Sequence, residues 1–141
     1  MSDGVRLSQA LADEMIRHCI DERPNEACGM LGAKGGGIVK VFKMANASAS
    51  PVRYALDPAE QLAVYNAIDS QGWELGGVFH SHTHTEAYPS PTDVRLASED
   101  APYVIVSLAT EPAEIRAWLI IKSEWGAEEG EIQEIPVTIL P

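Results

Sequence analysis

The chain has 141 residues, of which 45% are hydrophobic and 22% are charged, as expected for one globular domain around a single core. Its 21 acidic and 10 basic residues give a net charge of -11, which repels nucleic acid and anionic membrane surfaces. These properties predict a single domain over residues 1–141 and exclude nucleic acid and membranes as partners.

The start of the chain and its cysteines indicate a cytoplasmic protein. Met1 to Arg6 lacks the basic and then apolar layout of a signal peptide, and no apolar run reaches the roughly 18 residues of a membrane helix. Cys19 and Cys28 form no C-x-x-C pair, so neither a disulfide framework nor a four-thiolate zinc site is available.

The first half of the chain predicts a helix, a hairpin and a second helix. Ser8 caps a helix that ends near Asp21, because Pro24 follows. Residues 26–33 and 38–44 are typical of two strands, joined by a glycine-rich turn. Asp57 then opens a helix to about Gln71, with Leu62, Tyr65 and Ile68 facing the core.

The second half predicts mainly strands. Trp73 to Phe79 is a buried strand that leads into polar residues, and a short helix begins at Ser90 and Pro91. Further strands are predicted at 103–109, 114–122 and 131–140. This order predicts an α/β fold with one mixed central sheet flanked by helices.

The residues after the buried strand are suited to metal binding. Alternate residues of a strand point to the same side, so His80 and His82 aim together and offer half of a tetrahedral zinc shell. Asp93, in the first turn of the next helix, is the natural third ligand. On its own, the pair Ser90 and Asp93 equally fits a helix cap without any metal. Three protein ligands leave one position free, which is typical of catalytic zinc.

These residues carry a resemblance to a known family. His80-Ser81-His82, then seven residues, Ser90, two residues and Asp93 resemble the JAMM (MPN-plus) metallopeptidase motif, and the segment 24–32 resembles the part that carries the family's catalytic glutamate. The resemblance implies one zinc per chain, held by His80, His82 and Asp93. It also implies Glu26 as the general base, Ser90 as the stabiliser of the reacting oxygen, and a deaminase-like α/β fold.

Within that family, residues 80–97 most resemble the actinobacterial CysO-cysteine peptidases. The resemblance implies a hydrolase that cleaves the amide bond after the C-terminal glycine of a ubiquitin-like sulfur-carrier protein and releases cysteine for cysteine biosynthesis. The alternatives are an isopeptidase that acts on another small ubiquitin-like protein, and a non-catalytic MPN scaffold. A homodimer is compatible with the sequence.

Several neighbouring residues leave alternatives open. His84 extends the motif to His-x-His-x-His and is either a ligand or part of a loop that touches substrate. Cys28 lies two residues after Glu26 and is either close to the metal or a small core residue. Glu86 is the substitute base if Glu26 is not the base. Its spacing also mimics a cupin motif, but the glycines and the second histidine motif of cupins are missing.

Overall fold

The structure, a computed structural model, describes residues 4–141. Met1 to Asp3, the start of the segment that lacks a signal-peptide layout, lie outside the described residues. Within residues 4–141, no helix is long and apolar enough to cross a bilayer.

The described residues form three helices, all in the first hundred residues, and eight strands. The helices are α1 (Gln9–Asp21), α2 (Pro58–Ser70) and α3 (Pro91–Leu96). The strands are β1 (Val5–Ser8), β2 (Cys28–Lys34), β3 (Gly37–Met44), β4 (Glu74–His82), β5 (Tyr103–Ser107), β6 (Glu114–Ile121), β7 (Glu131–Ile135) and β8 (Val137–Leu140).

The central sheet of the described chain has six strands in the order β3-β2-β4-β5-β6-β7. β4 and β5 are parallel, whereas the other neighbouring strands in this sheet are antiparallel. Neighbouring residues of a strand point to opposite faces, so Met30 and Leu31 mark the two sides of the sheet. Leu31 belongs to the apolar cluster that includes α1, and Met30 to the cluster that includes α2. The predicted mixed sheet flanked by helices is confirmed.

The helix predictions are confirmed at their ends. The Ser8 hydroxyl accepts a hydrogen bond from the Leu11 N–H at the start of α1, and the Asp57 carboxylate caps α2 through the Glu60 N–H. The predicted inward face of α2 is wrong at Leu62 and Tyr65, which are 60% and 36% exposed, and right at Ile68, which is buried. Successive residues turn by about 100° in a helix, so Val64 and Ile68 share the buried face and Leu62 points away from it.

The prediction of one last strand over 131–140 is also wrong. Pro136 separates β7, which ends the central sheet, from β8, which pairs in parallel with β1 in a second sheet of two strands. Proline has no N–H to donate to a strand ladder, so the chain changes sheets there. The strand β1 was not predicted, because a strand of four residues that ends on the helix cap Ser8 carries little periodicity.

Candidate active site

The position of β4 beside β2 brings the predicted base and ligands to one end of the sheet. Cys28 lies opposite His80 in the antiparallel register. Ser81, between the two histidines, binds Ala27 twice: its hydroxyl accepts from the Ala27 N–H at 2.8 Å, and its own N–H donates to the Ala27 carbonyl at 3.0 Å. Ser81 thus fixes the segment that carries Glu26 against the strand that carries the histidines.

His80, His82 and Asp93 converge in a buried cluster. One carboxylate oxygen, Asp93 Oδ2, lies 3.2 Å from His80 Nε2 and 3.0 Å from His82 Nε2. The two imidazole nitrogens are 3.2 Å apart. Each of the three residues is at most 7% exposed.

The donor set and spacing fit a zinc ion. Ligands held at about 2.0–2.1 Å in a tetrahedral shell lie about 3.3 Å from one another, close to the distances between these three atoms. The other ring nitrogen of His82, Nδ1, is 2.8 Å from the Glu86 carbonyl, so donation to that oxygen leaves Nε2 free to coordinate. Their role as zinc ligands remains a prediction that this geometry supports.

His82 and Asp93 shift each other's pKa toward the charged forms. Burial alone raises the pKa of Asp93, but His80, His82 and the Ser90 N–H stabilise the carboxylate and bring its pKa well below the usual range. Burial alone lowers the pKa of His82, but the hydrogen bonds to Asp93 and to the Glu86 carbonyl outweigh burial and raise it. The cluster is therefore built around an ionised carboxylate.

Asp93 serves the helix cap and the cluster at the same time. Its backbone N–H donates to the Ser90 hydroxyl at 3.0 Å, and its Oδ2 accepts from the Ser90 N–H at 2.9 Å, which completes a capping box. The two interpretations of this pair are thus compatible. The Ser90 hydroxyl accepts in the cap, so its own proton stays available for donation.

Glu26 faces a cleft of about 200 Å³ whose walls include His82, His84 and Ser90. The side chain is 4% exposed, and its Oε1 has no hydrogen-bond partner among the described residues. Burial and the nearby Asp93 charge raise the pKa of Glu26 to about 8. A carboxylate in this state takes up a proton readily near neutral pH, as a general base requires.

The structure separates the remaining candidates from the cluster. β4 ends at His82, and His84 lies exposed on the wall of the cleft, outside the group of three possible ligands. The Cys28 thiol donates to the Ala45 carbonyl, and burial raises its pKa to about 12, which favours the core interpretation. Glu86 is exposed and contributes its carbonyl to His82.

Sequence reasoning missed the residues that brace the site from outside. The Ser107 hydroxyl donates to the Thr85 carbonyl at 2.6 Å, and the Trp118 indole donates to the Ala87 carbonyl at 2.9 Å. Both bonds hold the loop between β4 and α3. Because each joins residues more than 20 positions apart, the motif around His80 contains no trace of them.

Known proteins provide an independent view of the chain. Residues 8–121 match the family described as prokaryotic homologs of the JAB domain. The chain belongs to this family. The resemblance to JAMM/MPN proteins is thereby confirmed over most of the chain, including the whole of the candidate site.

Two relatives of this JAB-family chain are a CysO-cysteine peptidase and a desampylase. The CysO-cysteine peptidase of Mycobacterium tuberculosis is 39% identical over 134 residues, which cover 92% of this chain and 87% of the relative. The desampylase of Pyrococcus furiosus is 30% identical over 114 residues, covering 81% and 76%. The protein is accordingly a JAB-family hydrolase related to these enzymes.

A solved structure shares this fold. The solution structure of a Desulfitobacterium hafniense protein superposes with a TM-score of 0.82 at 33% identity, covering 96% of this JAB-family chain and 92% of the other. The arrangement of the sheet and helices described above is therefore also found in an experimental structure.

Proposed function

We propose that the protein is a zinc-dependent peptidase of the cytoplasm that cleaves the amide bond after the C-terminal glycine of a ubiquitin-like sulfur-carrier protein and releases cysteine. The observation that carries the proposal is the convergence of His80, His82 and Asp93 on one point beside a buried carboxylate, Glu26. The similarity to the CysO-cysteine peptidase supports this choice of substrate.

His80, His82 and Asp93 would hold one zinc ion per chain through two imidazole nitrogens and one carboxylate oxygen. When bound, the ion supplies Lewis-acid chemistry, which polarises a carbonyl and makes water more acidic. The capping box and the Glu86 carbonyl hold two of these ligands in place before metal arrives, so little reorganisation is needed.

Glu26 acts as the general base. It takes a proton from the attacking water and later delivers it to the leaving amine as the carbon–nitrogen bond breaks. Glu26 lines the cleft and its Oε1 has no hydrogen-bond partner among the described residues, so this oxygen is available to the water. Ser90 donates its free hydroxyl proton to the carbonyl oxygen as negative charge develops there.

A second candidate is a deconjugase that releases another ubiquitin-like protein from a lysine side chain. The similarity to the Pyrococcus furiosus desampylase favours it. The two candidates differ in the leaving group, which is a free amino acid in the first and a folded protein in the second. The higher identity to the CysO-cysteine peptidase, 39% against 30%, favours the first.

The test compares three substrates with the zinc-loaded protein: carrier joined to cysteine, carrier joined to a lysine side chain, and a plain peptide. Mass spectrometry follows the loss of the leaving group. Faster release of cysteine supports the proposal, and faster cleavage of the lysine conjugate favours the deconjugase. Cleavage of the plain peptide alone would overturn both.

The matched variant is Glu26→Gln, which keeps the shape but cannot accept the proton. We expect it to retain zinc and to lose about 100-fold or more in turnover. Glu22→Gln removes the same charge from an exposed position nearby and should keep the parent rate. Parent-level turnover in Glu26→Gln would instead assign the base to another residue.

A further inference from the structure

The ring of Tyr54 lies flat against the ring of His80. Their centroids are 4.4 Å apart and the ring planes differ by 21°, which is a stacked arrangement. Aromatic pairs at such distances attract each other beyond the effect of the apolar area that they bury. Tyr54 is thus in direct contact with one of the three predicted ligands.

The two histidines of the cluster are held differently. His82 is anchored through Nδ1 by the Glu86 carbonyl at 2.8 Å. His80 is fully buried, yet its Nδ1 has no hydrogen-bond partner among the described residues. A metal-binding histidine usually has an outer hydrogen bond that fixes its ring, because the last torsion of the side chain is broad. For His80, the contact that is present in place of this hydrogen bond is the stacked Tyr54 ring.

Tyr54 is itself held from both sides. The Asn46 side chain donates to the Arg53 carbonyl at 3.0 Å and accepts from the Ala55 N–H at 3.1 Å, so the backbone on each side of Tyr54 is fixed. The tyrosine ring also packs on the apolar cluster around Val78 and Tyr103. The position of the ring therefore does not depend on its contact with His80.

The Asn46 amide extends the same support to the predicted base. It also donates to the Glu26 carbonyl at 3.0 Å, while the Glu26 N–H donates to the Ser50 carbonyl at 2.9 Å. The loop that presents Tyr54 is thus tied to the segment that presents Glu26. A single loop outside the motif contacts both halves of the site.

We propose that Tyr54 is a positioning residue for metal binding, whose stacked ring fixes the orientation of His80 so that Nε2 faces the other two ligands. This inference rests on the proposed role of His80 as a zinc ligand. The aromatic ring of Tyr54, and not its hydroxyl, makes the contact with His80, so Phe at this position should orient His80 as well as Tyr does.

The experiment measures metal binding apart from catalysis. The parent, Tyr54→Phe, Tyr54→Leu and Leu56→Ala are stripped of metal, and zinc affinity is determined by competition with a chromogenic chelator. Cobalt(II) absorption then reports the ligand geometry. Leu56→Ala is the matched control, because Leu56 packs on the same apolar cluster from the same loop without stacking on His80.

We expect Tyr54→Leu to bind zinc about 10-fold more weakly, in the range found when support outside the ligand shell is lost, and to alter the cobalt spectrum. Tyr54→Phe should restore both, and Leu56→Ala should keep the parent affinity although it unfolds at lower temperature. Equal affinity in the parent and Tyr54→Leu would overturn the inference. An equal loss in Leu56→Ala would also overturn it, because the effect would belong to the whole loop. A parent that binds no zinc would refute the proposed function instead.

Discussion

Replacing Glu26 by Gln should stabilise the metal-free protein at pH 8 while it removes activity. In the unfolded chain this carboxyl loses its proton near its ordinary value of 4.5, whereas in the folded protein burial and Asp93 raise its pKa to about 8. Between these pH values the folded state binds more protons than the unfolded state. The free energy of unfolding therefore falls as the pH rises, and Gln removes this loss.

The size of the effect follows from the shift. One pKa unit corresponds to about 1.4 kcal/mol, so a shift from 4.5 to about 8 sets an upper bound of about 4 kcal/mol at pH 8. Glu26 lies beside a cleft that admits water, and solvent screening reduces the expected gain to about 1–2 kcal/mol. For a domain of this length, that gain raises the melting temperature by about 3–6 °C.

The assay is thermal unfolding, followed by circular dichroism after EDTA treatment, at pH 5 and pH 8. At pH 5 the difference between Glu26→Gln and the parent should shrink to a few tenths of a kcal/mol, because pH 5 lies only about half a unit above the unfolded pKa of 4.5 and little of the loss has accumulated there. Glu22→Gln, which removes an exposed charge, should show no comparable gain. A Glu26→Gln protein that melts with the parent at both pH values would refute the reasoning.

Three other variants test the site and its supports. His82→Ala should purify with far less than one zinc per chain by elemental analysis, because two remaining ligands bind zinc poorly; undiminished zinc would remove His82 from the ligand set. Asn46→Ala should lose about 2–4 kcal/mol in urea unfolding, since its amide makes hydrogen bonds of 3.1 Å or less to four backbone groups; a loss below about 1 kcal/mol would show that the loop holds without it. Gly29→Ala should lose about 3 kcal/mol or more in the same assay, because a Cβ there would overlap the Phe42 carbonyl and the ring of Phe79; parent-like stability would mean that the sheet yields easily.

Much of the site was predictable because its residues lie close together in sequence. The spacing of His80 and His82 needs only the alternation of a strand, and Ser90 with Asp93 needs only the first turn of a helix. The relative placement within each of these two pairs thus follows from local geometry alone, without any tertiary contact. Of the two interpretations of His84, the end of β4 at His82 favours the loop, because His84 then lies outside the strand.

The supports of the site depend on contacts that no local pattern encodes. Tyr54 meets His80 only because the loop after β3 folds back across the end of β2, and Asn46 is the residue that holds this loop. Likewise, Leu62 was placed in the core because apolar residues recur along α2, but the packing partner Met30 selects the face with Val64. The contact of Tyr54 and the buried face of α2 therefore depend on tertiary packing between elements that are distant in sequence.

The turn between β2 and β3 offers a place to attach the protein to a surface or a reporter. Gly35 and Gly36 adopt positive φ angles of 59° and 84° there, and a Cβ on either would meet nothing within 4 Å. β2 has seven residues and runs from the site to this turn, which puts the turn about 20 Å from the cluster at a rise of about 3.3 Å per residue. A longer loop would therefore extend into solvent at the opposite end of the strand. A dye or tether inserted at Gly35 would leave the cleft open, so that turnover of the proposed carrier substrate could be followed on single immobilised protein molecules.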